Sequence, residues 1–258
     1  MSPHPSRDEE YLQSHRSHDY GAVLAAWKRL ARRARARFEV ITESGGYPVM
    51  GWQSGVWESG TRGLYLSAGV HGDEPAGVVA LLEWAGDNIA WLKKNPVLIF
   101  PCFNPWGLVN NSRTDHRGVD LNRHFHRVRD PHISGWVRFV RGLAFHNVLS
   151  LHEDYDAQGL YLYEIGARAG ALGPGIFDAC FCAIRPDPRK TIEGRRAKEG
   201  YIFRVRPPVI PEGLPEPLQL QRMGAVRSLT LETPSEFSLA TRVRAQRLCI
   251  DFVKSATG

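Results

Sequence analysis

The chain has 258 residues, of which 43% are apolar, and a formal charge of +6. Such a length can bury one large core, and with no low-complexity tract the expected architecture is a single α/β domain. No apolar run approaches the ~20 residues of a membrane span, and residues 1–20 carry Arg7, Asp8, Glu9, Glu10, Arg16 and Asp19 where a secretory leader would be apolar.

Four cysteines (Cys102, Cys180, Cys182 and Cys249) show neither metal-type pairing nor a disulfide framework. A reducing cytoplasm is the expected compartment, with no membrane partner.

In chain order, Val23, Trp27, Leu30, Ala34 and Phe38 recur at helical spacing, so the spacing predicts an amphipathic helix. Six of the ten residues at 28–37 are basic. A solvated helix face explains them better than a nucleic-acid site, because no nucleic-acid motif accompanies them. Residues 1–40 are therefore expected to form a helical extension packed on a catalytic domain of residues 41–258.

Short strands at 38–42 and 48–52 flank Gly45-Gly46, and apolar runs at 64–70 and 96–100 suit strands covered on both faces. A helix is expected to begin at Pro75. A helical pattern over 133–145 leads into strand 147–151, residues 161–163 form a weaker strand, and 167–184 contains a helix. After strand 227–231, Thr233-Pro-Ser-Glu236 has the form of a capping box opening a final helix to about Val253. Alternating buried strands and helices predict a mixed, mostly parallel β-sheet sandwiched between α-helices.

Three of these strands are expected to end just before His71, His152 and Glu232. In open α/β sheets ligands bind beyond the carboxyl ends of the strands. His71 and Glu74 stand three positions apart, and Gly72 permits the bend that would turn both toward one ion. A lone His-x-x-Glu is weak among fifteen Glu and ten His.

With His152, however, the pair becomes the three-ligand set of a catalytic zinc that leaves a position for water. Glu232, after an apolar strand, suits a general base, and Asp120 suits a carboxylate that fixes a ligand imidazole. Arg113, Asn122 and Arg123 are the candidates for oxyanion stabilisation and carboxylate binding, with Arg117 open for either task.

These segments, taken together with Asn104-Pro-Trp-Gly107, Gly118-Val-Asp-Leu-Asn-Arg123, Ser150-Leu-His152 and Leu229-Thr-Leu-Glu232, resemble the zinc metallocarboxypeptidase family typified by carboxypeptidase A. The resemblance spans about residues 64–254. It implies one zinc ion held by His71, Glu74 and His152, Glu232 as general base and acid, and Arg113 on the oxyanion. It further implies Asn122 and Arg123 on a terminal carboxylate, and Asp120 behind the first histidine.

The pattern is nearest to compact bacterial members such as murein peptide amidase. The mobile tyrosine of the digestive members has no counterpart between Pro207 and Arg227.

The expected activity is metallopeptidase hydrolysis of an amide beside a residue with a free carboxylate, in a C-terminal amino acid or a cell-wall peptide, by attack of zinc-activated water. A deacylase of N-acyl amino acids, of the succinylglutamate desuccinylase and aspartoacylase type, is the nearest alternative. A non-catalytic basic binding module is the second. The proline-rich segment 207–217 is expected to set specificity, and Glu153, Asp154 and Asp156 are candidates for contacting a cationic substrate group.

Overall fold

The fold was analysed in a computed structural model that describes residues 16–58 and 60–257; residues 1–15, the first part of the expected extension, lie outside the described residues. Helix α1 (Tyr20–Ala34) leads into the hairpin β1 (Arg37–Ser44) and β2 (Tyr47–Gln53). Then come β3 (Arg62–Ala68), α2 (Pro75–Asp87), α3 (Ile89–Leu92), β4 (Val97–Phe100) and α4 (Pro105–Asn110).

A 3-10 turn at Leu121–Arg123 precedes α5 (Pro131–Val140), β5 (Ala144–Asp154), β6 (Tyr161–Ile165) and α6 (Gly173–Cys180). The ribbon β7 (Thr191–Ile192) and β8 (Arg195–Arg196), strand β9 (Tyr201–Arg204), α7 (Glu216–Arg222), β10 (Arg227–Pro234) and α8 (Leu239–Ser255) complete it. No described helix is long and apolar enough to cross a membrane.

Eight strands form one mixed sheet in the order β1-β2-β4-β3-β5-β10-β6-β9. The central strands β4, β3, β5 and β10 are parallel. Alternation along these strands divides the sheet into two faces. Leu64, Leu66, Leu149, Leu151, Leu229 and Leu231 join the core beneath α1, α2, α6 and α8. Tyr65, Val148 and Phe100 join the opposite core, beneath α5 and α7. Burial on both sides is why these strands read as continuous apolar runs.

Helix α1 buries Val23, Trp27, Leu30 and Ala34, and its basic residues face solvent. It ends one turn earlier than the apolar spacing predicts, because Arg35 takes a left-handed conformation and caps it. Phe38 belongs to β1 instead.

The helical pattern expected over 133–145 also stops early. Asp130 and Pro131 open α5, Gly142 (φ +79°) follows its end, and Ala144 already pairs with Arg62 in the sheet ladder.

Two expected strand ends move outward, since β5 runs to Asp154 and β10 to Pro234 with Thr233 opposite Glu153. Thr233 is buried, and its hydroxyl donates to His152 O at 3.4 Å and accepts from Gln246 at 2.9 Å. It therefore cannot serve as a helix cap. Ser238 caps α8 instead, accepting from Thr241 N at 3.3 Å. Ser238→Ala is expected to lower stability by about 1 kcal/mol, measured by denaturant unfolding, with Thr241→Ala leaving the cap intact.

Candidate metal centre

Strand β3 ends at Ala68, and Gly69 (φ +62°) turns the chain so that Val70 is buried and His71 reaches the carboxyl edge of the sheet. Gly72 is needed for a different reason from a bend. A Cβ there would lie 1.9 Å from Gly107 C, so only glycine lets this loop rest on α4. Gly72 N also donates to Ser112 O at 3.0 Å. Asn104 caps α4 through Gly107 N at 2.9 Å and binds Thr114 O at 3.0 Å, so the Asn104-Pro-Trp-Gly107 segment supports the first histidine from behind.

Glu74 stands at the N-cap of α2 but makes no capping bond, which leaves its carboxylate for the histidines. His71 Nδ1 lies 2.6 Å from Glu74 Oε1, and His152 Nδ1 lies 2.9 Å from Glu74 Oε2. One donor atom from each of the three side chains lies within 4.8 Å of the others, and all three residues are buried.

Burial opposes charge on His71, but Glu74 and Asp120 outweigh it and raise that imidazole to about 9. Burial likewise opposes charge on Glu74, and the two imidazoles overcome it and hold the carboxyl below the usual carboxylate range. Two nitrogens and a carboxylate converging in a buried corner are a donor set that suits a divalent zinc-type ion. His71, Glu74 and His152 are thus arranged as metal ligands.

The helix N-terminus that Glu74 leaves uncapped is served by Glu153, which accepts from Ala76 N and pairs with Arg242. Glu153 is therefore committed to the fold and is not free for a cationic substrate group. Asp154 accepts from Tyr161 OH at 3.0 Å, and Asp156 is exposed.

The other face of His71 meets Asp120, with Nε2 3.2 Å from Oδ1. Arg113 binds the second oxygen of Asp120 at 3.1 Å and brings its guanidinium to 3.3 Å from His71 Nδ1 and 3.7 Å from Glu74. Arg117 is drawn away by Asp115 and Asp130, each at 2.7 Å, which removes it from the site.

Asp120→Ala is expected to lower the affinity of the ligand set for added zinc by ~10–100-fold, read by competition with a chromophoric chelator. Affinity equal to wild type would mean that the carboxylate has no part in orienting His71.

Glu232 does not follow its strand but lies within it, directly opposite His152 across the parallel β5/β10 ladder. Side chains at paired positions share a face, so this carboxylate stands beside the second histidine. Burial pushes Glu232 well above the usual carboxylate range, and the charge of Glu74 adds to that rise while His152 opposes it.

A cleft of about 860 Å³ opens above the group, lined by the three ligands, Arg113, Asn122, Arg123 and Glu232. The pattern of odd and even residues extends its floor. Glu232 pairs with Tyr161, Thr230 with Tyr163, and Ser228 with Ile165, and all six residues line the cleft. Arg204, paired with Ile165, stands at the far edge. Apart from Glu232, these floor residues were not singled out from the sequence, although the period-two pattern through Ser228, Thr230 and Glu232 carries the signal.

The family model described as the succinylglutamate desuccinylase/aspartoacylase catalytic domain matches residues 60–132. That stretch holds His71, Glu74, Arg113, Asp120, Asn122 and Arg123 but neither His152 nor Glu232. A search of curated proteins finds no match.

Among solved structures, a proposed metallopeptidase from Shewanella amazonensis is 20% identical with a TM-score of 0.81, covering 92% of each chain. A metallo-carboxypeptidase from Burkholderia cenocepacia is 15% identical with a TM-score of 0.65, covering 90% of this chain and 67% of that one. A metallo-carboxypeptidase from Pseudomonas aeruginosa, solved with (2-guanidinoethylmercapto)succinic acid, is 17% identical with a TM-score of 0.60, covering 88% and 67%. The fold is thus carboxypeptidase-like, a mixed and mostly parallel sheet between helices.

Proposed function

We propose that the chain is a zinc-dependent hydrolase that cleaves an amide next to a residue bearing a free carboxylate. The observation that carries this reading is the placement of a His-Glu-His ligand set, an adjacent carboxylate and a pair of cleft arginines on one edge of the sheet. When bound, a zinc ion supplies Lewis acidity toward a carbonyl oxygen and lowers the pKa of water toward ~7.

Glu232 takes the proton from the attacking water and returns it to the departing amine. Burial and the nearby Glu74 charge push its pKa upward, the direction that favours proton transfer by a carboxylate near neutral pH. Arg113 faces the reacting carbonyl and stabilises negative charge as it develops. Asn122 and Arg123 hold the free carboxylate of the substrate, the arginine as a two-pronged donor. Asp120 fixes the ring of His71 and tethers Arg113.

The substrate is a peptide with a free C-terminal residue or a cell-wall peptide of the kind cleaved by murein peptide amidase. The cytoplasm is the proposed compartment, which the four unpaired thiols suit. An N-acyl amino acid deacylase is the second reading, favoured by the family match over residues 60–132.

The test is hydrolysis by the zinc-loaded protein of three panels: C-terminal peptides, γ-D-glutamyl-diaminopimelate peptides and N-acyl amino acids such as N-succinylglutamate. Chelator-sensitive turnover of either peptide panel supports the first reading, and turnover of acyl amino acids alone supports the second. Failure to bind zinc stoichiometrically would overturn both.

A further inference from the structure

Glu216 is fully buried without an ion-pairing Lys or Arg among the described residues. Its carboxyl lies on the site face of the sheet, where Tyr65, Ser67 and Ser150 donate to it, the two serines at 2.5 and 3.0 Å. Ser67 and Ser150 are register partners on β3 and β5, two strands that carry the chain toward His71 and His152. One side chain at the start of α7 is thus bolted to the floor of the site by three hydroxyls. A buried carboxyl is costly to hold unless its hydrogen bonds are met, and here they are met from two strands at once.

The backbone beside this plug reaches the residues proposed to hold the substrate carboxylate. Glu216 N donates to Asn122 Oδ1 at 3.2 Å, which turns the Asn122 carbonyl inward and leaves its amide N–H groups for the cleft. Leu214 N donates to Arg123 O at 3.0 Å, and Phe125 N donates to Leu214 O at 3.1 Å.

Gly213 allows this approach. Its φ is +142°, and a Cβ there would lie 2.1 Å from Arg123 O. The proline-rich segment is therefore clipped along residues 122–125 by its last residues.

We infer that Glu216 is a positioning residue for substrate binding: its anchor on Tyr65, Ser67 and Ser150 sets the segment ending in α7, and that segment orients Asn122 and Arg123 toward a substrate carboxylate. The inference rests on the proposed function for the role of Asn122 and Arg123. The proline-rich segment and the residues proposed to hold the substrate carboxylate are consequently tied to each other by hydrogen bonds.

The test compares Glu216→Ala with Glu216→Gln, whose amide can still bond the three hydroxyls, in the zinc-loaded full-length protein. Glu216→Ala is expected to raise KM for a turned-over substrate by ~10–100-fold, the range for a lost hydrogen bond to a charged group. Its kcat should stay within about threefold and zinc should remain at one equivalent, while Glu216→Gln stays near wild type. A crystal structure of Glu216→Ala should show Asn122 turned and residues 210–215 displaced.

A merely structural role predicts a lower Tm with KM unchanged below it, and that result, or an undisplaced Asn122, overturns the inference. If Glu216→Ala does not fold, Gly213→Ala leaves the buried anchor intact and should raise KM in the same way; an unchanged KM there overturns it. If no substrate is turned over, the functional reading fails, and the crystallographic outcome still decides whether Glu216 sets Asn122.

Discussion

Glu232→Gln is expected to lower kcat by ~10²–10⁴-fold while the protein still takes up one equivalent of zinc. This is the range typical of a single positioned general acid or base. Glutamine keeps the volume and the strand position opposite His152 but cannot accept a proton to form an acid.

Zinc uptake should survive because Glu232 is not in the ligand set formed by His71, Glu74 and His152. Steady-state kinetics together with metal analysis decide the matter. Turnover within tenfold of wild type would remove Glu232 from the chemistry, whereas joint loss of metal and activity would make it a structural support of the site.

Arg113→Ala is expected to lower kcat by about 10²–10³-fold, the effect of losing one preorganised oxyanion donor. The guanidinium is half-exposed at the cleft, tethered by Asp120 and directed past Glu74 and His71, so it has a free edge for the substrate. Burial works against its charge, yet Asp120 and Glu74 outweigh that and keep Arg113 cationic well beyond neutral pH.

Metal affinity should hold or rise slightly, because a cation 3.3 Å from a ligand nitrogen repels a bound ion. Arg113→Lys should recover little, since a point charge cannot hold Asp120 and face the substrate with a rigid fork. A change confined to KM would place Arg113 in ground-state binding instead.

The metal set was legible in the sequence because each of its members belongs to an apolar strand or the turn after it. Local order along β3 and β5 was enough to bring His71 and His152 to one edge. Less legible was where the strands stop.

Thr233-Pro-Ser-Glu236 satisfies a local capping pattern, but pairing of Thr233 with Glu153 and its bond to Gln246 outweigh local preference. For the same reason Glu232 proved to be inside a strand rather than after it. Glu216 could not be read at all, because its partners Tyr65, Ser67 and Ser150 lie 151, 149 and 66 residues away. Gly72 was read for the right effect and the wrong cause, since the constraint is a backbone neighbour at Gly107.

The division of the sheet into two faces has a bearing on how such a protein can change. Along β10, Leu229 and Leu231 hold the fold together, and Ser228, Thr230 and Glu232 meet whatever occupies the cleft. Stability and chemistry are written on alternating letters of the same short word. Drift in the letters that face the cleft can alter what is recognised without loosening the core. On the far side the same freedom belongs to α1 and α6, because α2 begins at Glu74 and α8 reaches His152 and Thr233 through Gln246.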